Sequence, residues 1–355
     1  RLPFGAGVLC FRAHLSTVGK WISCDRRVFL FGARAFLFWV EIKEVNMCRK
    51  AKGRDPLFVI KHGDKYGYMD SEGNAVIEPQ FDEAHDFTCG RAEVRIGKKR
   101  GFIDKKGNFV FEAKDYACEW FFEDMAKIIV GNKRGFINKQ GDIIVQPQFP
   151  IAFKFSEGLA AVRIGKKFGY INKLGEWVIE PRFDFAQDFS DGLAWVLIDR
   201  KKGCVNKKGE LVIETQYTGY THGFSDGVAS VQIIVKYGAI DKRGVVVVEP
   251  IYKYLYGFSE GLASARIEDK WGFIDKKGNL VIETKYKYGY GFSEGLAAVK
   301  TGEKYGYIDK QGNVTIKPRF SHVEAFTHGI AKVWTKRIWG YIDKKGNWVW
   351  SYVSK

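Results

Sequence analysis

Chemistry that depends on clustered ligands is poorly supplied in this sequence. Its six cysteines, Cys10, Cys24, Cys48, Cys89, Cys118 and Cys204, form no C-x-x-C pair. Disulfide frameworks and structural zinc sites need paired spacing, so these cysteines read as reduced or incidental. The six histidines, His14, His62, His85, His222, His322 and His328, are scattered, which leaves no visible metal cluster or nucleophile–base pairing. No phosphate loop, nucleophile elbow or paired-carboxylate constellation is present. The reading is therefore no catalytic residues, no metal and no cofactor. Methionine occurs only three times and glutamine is sparse, which weakens any helical reading. The apolar stretch from Val28 to Val40 is 13 residues long and contains Arg34, too short and too charged to span a bilayer.

What the chain has is aromatic residues, at 15%, and 40 glycines. Turns of Gly separated by Val, Ile, Phe, Tyr and Trp are a β composition. From about Tyr66 a 34-residue unit recurs to the C-terminus, marked by Gly67, Gly101, Gly135, Gly169, Gly203, Gly238, Gly272, Gly306 and Gly340. The one irregular step, Gly203 to Gly238, is 35 residues. A fixed period of this length indicates a modular array whose units pack on their neighbours. It also argues against an enzyme, because an active site needs different residues converging once.

Charge is unevenly spread. Residues 1–54 hold 11 Lys/Arg against Asp25, Glu41 and Glu44, half of the chain's formal +16. The repeat region, 55–355, is only mildly basic, so nucleic acid is an unfavoured partner there. Residues 1–54 read as a non-repeat basic segment, either disordered or upstream of a true start at Met47, or else a targeting sequence. The compartment follows that choice: cytoplasmic with a start at Met47, exported with a targeting segment.

Within a unit such as 158–180 the pattern gives three short strands and two turns. The first strand alternates, with an Ala on one face (Ala160, Ala194, Ala229, Ala297) and Arg or Lys on the other (Arg163, Arg266, Lys300). The small Ala points to a close approach between units. The second strand is apolar on both faces, as a central strand should be. The next turn always begins with Asp or Asn and carries Gly three residues later, as at Asp104 and Gly107, a hairpin signal repeated nine times. Pro79, Pro147, Pro181, Pro250 and Pro318 end the third strand. A linker follows, with an invariant Phe (Phe87, Phe121, Phe155, Phe189, Phe224, Phe258, Phe292, Phe326) expected to plug the core. The fold class expected is all-β: nine three-stranded antiparallel meanders joined by eight linkers. No unit is split between the two ends, which favours an open β-solenoid or superhelix over the alternative, a closed propeller-like ring.

These residues resemble the WG-repeat, or KWG-repeat, family. The matching strings are residues 270–278 (KWGFIDKKG), 339–343 (WGYID) and FSEGLA at 155–160, 258–263 and 292–297. The resemblance covers about 300 of 355 residues and implies a bacterial-type array without established catalysis. The chain departs from the pattern at the Trp, kept only as Trp271 and Trp339. The second unit is degenerate, with Ala113 for Pro and Asp124 for Gly.

One position varies while the rest hold. The residue before each marker glycine reads Tyr66, Arg100, Arg134, Phe168, Lys202, Tyr237, Trp271, Tyr305 and Trp339. A row exchanging Trp for Arg reads as a rim of binding residues, with rim packing as the plainer explanation. Trp120, Trp177, Trp195 and Trp334 break the pattern and read as drift or as a site. The Asp/Asn turns offer too few oxygens for calcium. The functional expectation is a non-enzymatic scaffold for a protein partner through this rim. The alternative is a glycan-binding or cell-envelope module, since aromatic faces suit sugar rings.

Overall fold

The structure, a computed structural model, describes residues 56–113 and 116–353 together with a short strand pair near the N-terminus. The chain divides into two units, Arg1–Glu44 and Val45–Lys355. In the first, the described residues are the antiparallel strands Phe29–Leu30 and Ala35–Phe36. The readings made for residues 1–54, including a start at Met47 and a targeting role, otherwise lie outside the described residues.

The second unit contains nine antiparallel sheets, each a meander in chain order. We number these blades along the chain. Their strands span residues 58–81, 83–112, 117–149, 151–183, 185–217, 228–252, 254–286, 288–320 and 322–353. Blade 5 shows the plan: Phe185–Ala186, Leu193–Ile198, Lys201–Asn206 and Leu211–Tyr217, which we call the inner, second, third and outer strands.

The sequence pattern yields three strands per unit, whereas seven of the nine sheets have four. The segment read as a linker contributes the inner strand. In blade 5 it is two residues long, pairing Phe185 with Leu197 and Ala186 with Val196. A run that short has no periodicity to detect. Its turn is also a hairpin, with Asp191 (φ 54°) and Gly192 (φ 83°) both left-handed, the geometry of a two-residue primed turn. Blades 1 and 6 have three strands among the described residues. In blade 6 the inner strand shrinks to one bridge, Thr221 to Val231, beside the extra residue that made the 35-residue step.

The invariant positions behave as their chemistry requires. Asp104 Oδ1 accepts the N–H groups of Lys106 and Asn108 at 2.8 and 3.0 Å, and the pattern recurs in every blade. The marker glycine has no room for a side chain. A Cβ on Gly169 would lie 2.4 Å from the Ile179 carbonyl oxygen and 2.8 Å from the Pro181 nitrogen, where the outer strand bulges inward. In six units the invariant Phe packs against a third-strand ring, as for Tyr170 and Phe189 with centroids 4.8 Å apart. Each such ring contributes about 1.5–3 kcal/mol by burial.

Successive inner turns touch. The Glu157 carboxylate accepts the N–H of Gly192 at 3.0 Å, Asp226 that of Gly261 at 2.8 Å, and Glu260 that of Gly295 at 3.0 Å. Equivalent turns of neighbouring blades come this close only where blades converge, so the inner strands surround the axis. The outer strands carry the exposed Val178, Val212, Val281 and Val314 on the perimeter.

The array closes into a ring. The turn glycine of each blade packs on an outer-strand residue of the blade before it, as Gly175 does on Val145. Gly73 of blade 1 packs in the same way on Val349 of blade 9. Ile60, Met69, Ile330 and Tyr341 form one buried cluster across the seam, and Tyr352 Oη donates to the Gly63 carbonyl at 3.2 Å. Of the two arrangements open to the sequence, the ring is therefore the one formed. Unsplit units do not prevent closure, because apolar side chains rather than a shared blade seal the seam.

Candidate binding end of the ring

Turns alternate between the two ends of the ring. One end carries the inner turns and the Asp/Asn turns. There most inner-turn carboxylates also meet a lysine from the next blade, as Glu157 meets Lys207 at 3.2 Å and Glu260 meets Lys310 at 3.2 Å. That end is internally satisfied. The other end carries the two-residue hairpins between second and third strands.

The variable pre-glycine row lies near this second end, one residue inside the third strand. It does not form a uniformly exposed rim. Phe168, Tyr237 and Trp271 are buried, while Tyr66, Arg100, Arg134, Lys202, Tyr305 and Trp339 are half-buried. Several of these side chains reach across the seam toward the next blade, while Arg100 pairs with Glu93 and Trp339 with Trp350 of their own blades. Phe168 contacts Phe153 of its own inner strand and Phe185 of the next, at 6.1 and 5.4 Å between centroids. Trp271 likewise stacks on Tyr256 at 5.3 Å and meets Tyr288 of the next blade at 5.2 Å.

Cations fit the same seam because linker carbonyls cap their heads. Arg134 Nη1 donates to the Pro150 carbonyl at 2.7 Å, and Lys202 Nζ to the Gly219 carbonyl at 2.9 Å. Burial pushes the Lys202 ammonium down to about 8. A position that is half core and half polar thus tolerates exchange of Trp for Arg, with stems packing like rings. In blades 6 to 8 the row joins a continuous aromatic belt through Tyr237, Tyr254, Tyr256, Trp271, Tyr288, Tyr290 and Tyr305.

The pattern-breaking tryptophans separate. Trp195 is a buried core residue whose Nε1 donates to the His222 carbonyl of blade 6 at 2.8 Å. In blades 1, 4 and 8 that latch comes from the third-strand tyrosine, as when Tyr170 Oη donates to the Gln187 carbonyl at 2.8 Å. Blade 5 has Cys204 there, and Trp195 fills the space and supplies the hydrogen bond. Trp120 is exposed, and Trp177 and Trp334 are half-buried. Cys118 and Cys204 are free and buried, and burial pushes both thiols well up. Cys89 is disulfide-bonded, a pairing that the reading of the six cysteines as reduced or incidental did not include, because pairing is set by the fold and not by sequence spacing.

The sequence pattern gave no notice of the hairpin tip of blade 6. Ile234 is 88% exposed and Val235 71% exposed. Ile234 sits at φ 59°, where other blades place Gly97, Gly131, Gly165 or Gly302. A β-branched residue there is strained. Ile251, 65% exposed, precedes the Tyr252 that pairs with Tyr237, which puts a third apolar side chain at this end. The detectable signal was a Gly-to-Ile exchange at a turn position.

Among the described residues no helix is long and apolar enough to cross a membrane. A search of curated proteins finds no match. Among solved structures, the crystal structure of a eukaryotic initiation factor superposes with a TM-score of 0.60 at 9% identity, covering 84% of this chain and 96% of that one. Hsv2p of Kluyveromyces lactis reaches 0.42 at 10% identity over 66% and 94%. The dihydro-heme d1 dehydrogenase NirN reaches 0.43 at 12% over 85% and 73%. The first shares the fold; the other two are more remote. The WG containing repeat family matches at residues 66–99, 135–168, 168–201, 203–233, 237–271, 271–305 and 305–333, passing over the degenerate second unit. With well over half of its length so matched, the chain belongs to the WG containing repeat family.

Proposed function

We propose that the chain is a non-enzymatic scaffold that binds protein partners through the end of the ring bearing the second-to-third-strand hairpins. The observation that carries this reading is the Ile234–Val235 tip. It combines an unrelieved left-handed isoleucine with two of the most exposed apolar side chains among the described residues. Strain and exposed apolar surface both lower stability, so their coincidence points to a contact role. The half-buried members of the pre-glycine row, Tyr66, Arg100, Arg134, Lys202, Tyr305 and Trp339, open toward the same end and would vary its chemistry from blade to blade.

The test is partner capture by the wild-type chain against the double variant Ile234→Gly, Val235→Ser. Relief of the backbone strain stabilises the variant by about 1 kcal/mol, raising its melting temperature. Recovery of partners falls at least tenfold. Equal recovery by the stabilised variant overturns the reading. Glycan binding is the second reading, favoured by Trp350 and Tyr352, near-parallel at 6.5 Å and 14° beside Trp339. The same variant separates the two, because retention on a polysaccharide would be untouched by it.

A further inference from the structure

Three seams of the ring hold a cation in the same place. In blade 4 the Arg182 guanidinium lies over the Phe183 ring at 5.1 Å, and its Nη2 donates to the Gly209 carbonyl of blade 5. In blade 8 Arg319 lies over Phe320 at 4.9 Å and donates to the Gly346 carbonyl of blade 9. Lys285 of blade 7 stands over Tyr286 at 5.7 Å. In each case the cation is the sixth residue of a seven-residue outer strand and the ring is the seventh. For both arginines the carbonyl belongs to the Asp/Asn turn of the next blade. A ring face and a carbonyl oxygen are both electron-rich, which suits a flat, forked cation.

Blade 5 has this place without the cation. Gln216 is the sixth residue of its outer strand and Tyr217 the seventh, and the turn opposite carries Gly244 of blade 6. Among the described residues neither Gln216 nor Tyr217 donates to the Gly244 carbonyl, whereas Tyr252 Oη of blade 6 serves that of Gly278 at 3.0 Å. A second inward-reaching group is missing as well. Asp82 and Asp184, just past their outer strands, accept the hairpin N–H of the next blade, from Gly97 at 2.6 Å and from Asp199 at 3.0 Å. Blade 5 has Thr218 there. The two exchanges leave a cleft of about 370 Å³ down the seam between blades 5 and 6, lined by Gln216, Tyr217, Thr218, Gln232, Ile234 and Gly244. That is room for an arginine side chain, and the cleft opens beside the exposed Ile234 tip.

We propose that this cleft is a slot for an arginine side chain of a protein partner. The guanidinium lies over Tyr217 and donates to the Gly244 carbonyl, as Arg182 and Arg319 do from within the chain. Its aliphatic stem runs along Ile234. Lysine is served less well, because a compact ammonium cannot lie flat on the ring while it reaches the carbonyl. The inference rests on the hairpin end being the end that binds partners.

The test uses the full chain, the peptide acetyl-Gly-Arg-Leu-amide and the same peptide with citrulline, which keeps the shape and loses the charge. The arginine peptide should shift the Ile234 methyl resonances and bind about tenfold more tightly than the citrulline peptide. Gln216→Arg fills the slot from within, so it should raise the melting temperature and weaken the arginine peptide by about tenfold. If that variant fails to fold, the comparison of the two peptides on the wild type decides alone. No shift at Ile234, equal binding of the two peptides, or undiminished binding by folded Gln216→Arg overturns the slot. Self-association of the wild type that Gln216→Arg abolishes assigns the slot to a second copy of the chain and overturns the partner. Partner capture that survives Gln216→Arg but not Ile234→Gly with Val235→Ser removes the slot and keeps the hairpin-end reading. Peptide binding by a chain whose partner capture ignores the tip does the reverse.

Discussion

Cys204 shows how much and how little a repeat reveals at the scale of a residue. Its place in the period, where seven other blades carry Tyr or Phe, identifies it as a core filler, and it is fully buried. The period also marks Trp195 as an outlier, but treats the two as separate irregularities. Only the packing joins them, since one indole replaces both the missing ring and the missing hydroxyl. The pair should behave as a coupled unit. Trp195→Ala opens a cavity costing about 3–5 kcal/mol, and Cys204→Tyr overpacks against the indole by about 1–3 kcal/mol. The double substitution restores the arrangement of blade 4, with Ala161 beside Tyr170. It should be more stable than Trp195→Ala alone by at least about 1 kcal/mol, measured by urea denaturation. Additive losses would show that the latch is not transferable. The pre-glycine row carries a related lesson: exchange of Trp for Arg read as an exposed rim, whereas carbonyls capping Arg134 and Lys202 let charged heads end a packed seam.

Element by element, the hairpins around the third strand were legible because each is fixed locally. An Asp or Asn accepts two backbone N–H groups and a Gly takes the left-handed position, all within five residues. The inner strand was not, because in blade 5 it is only two residues long and the turn beside it is held by a carboxylate from another blade. Nothing within one unit shows that Glu157 and Glu294 serve turns 34 to 35 residues ahead. Glu294 makes this ladder measurable. Desolvation works to raise its carboxyl, but N–H groups of Gly329 and His328 and the Lys344 ammonium outweigh it, so its net position is below the usual range. A depressed carboxyl gives stability that is present above the unfolded value of about 4.3 and lost as pH falls through the folded one. Glu294→Gln should therefore lower the urea midpoint at pH 7, by on the order of 1 kcal/mol after screening. The difference should vanish near pH 3. A gap unchanged across that range would mean that the carboxylate charge has no part in holding successive turns.

For the whole molecule, the period fixed the unit and the count of nine, but closure depends on the residues that differ at the ends. Chain-terminal blades of an open array need polar outer faces. Here the terminal blades instead present Met69, Ile60, Tyr341 and Ile330 to each other, and that apolar complementarity is visible only once the blades are built. Ring closure links residues nearly the whole array apart, so damage on one side of the seam should be felt on the other. Met69 is fully buried against blade 9. Met69→Ala should cost about 2–5 kcal/mol. More tellingly, it should accelerate amide exchange in the Trp348–Val353 strand along with that of Phe58–His62, while Lys167–Ile171, on blade 4, stays protected. Acceleration limited to blade 1 would show that the seam is open in solution. An effect on both terminal blades requires the closed ring, because in a solenoid these strands share no contact through which a lost thioether could act.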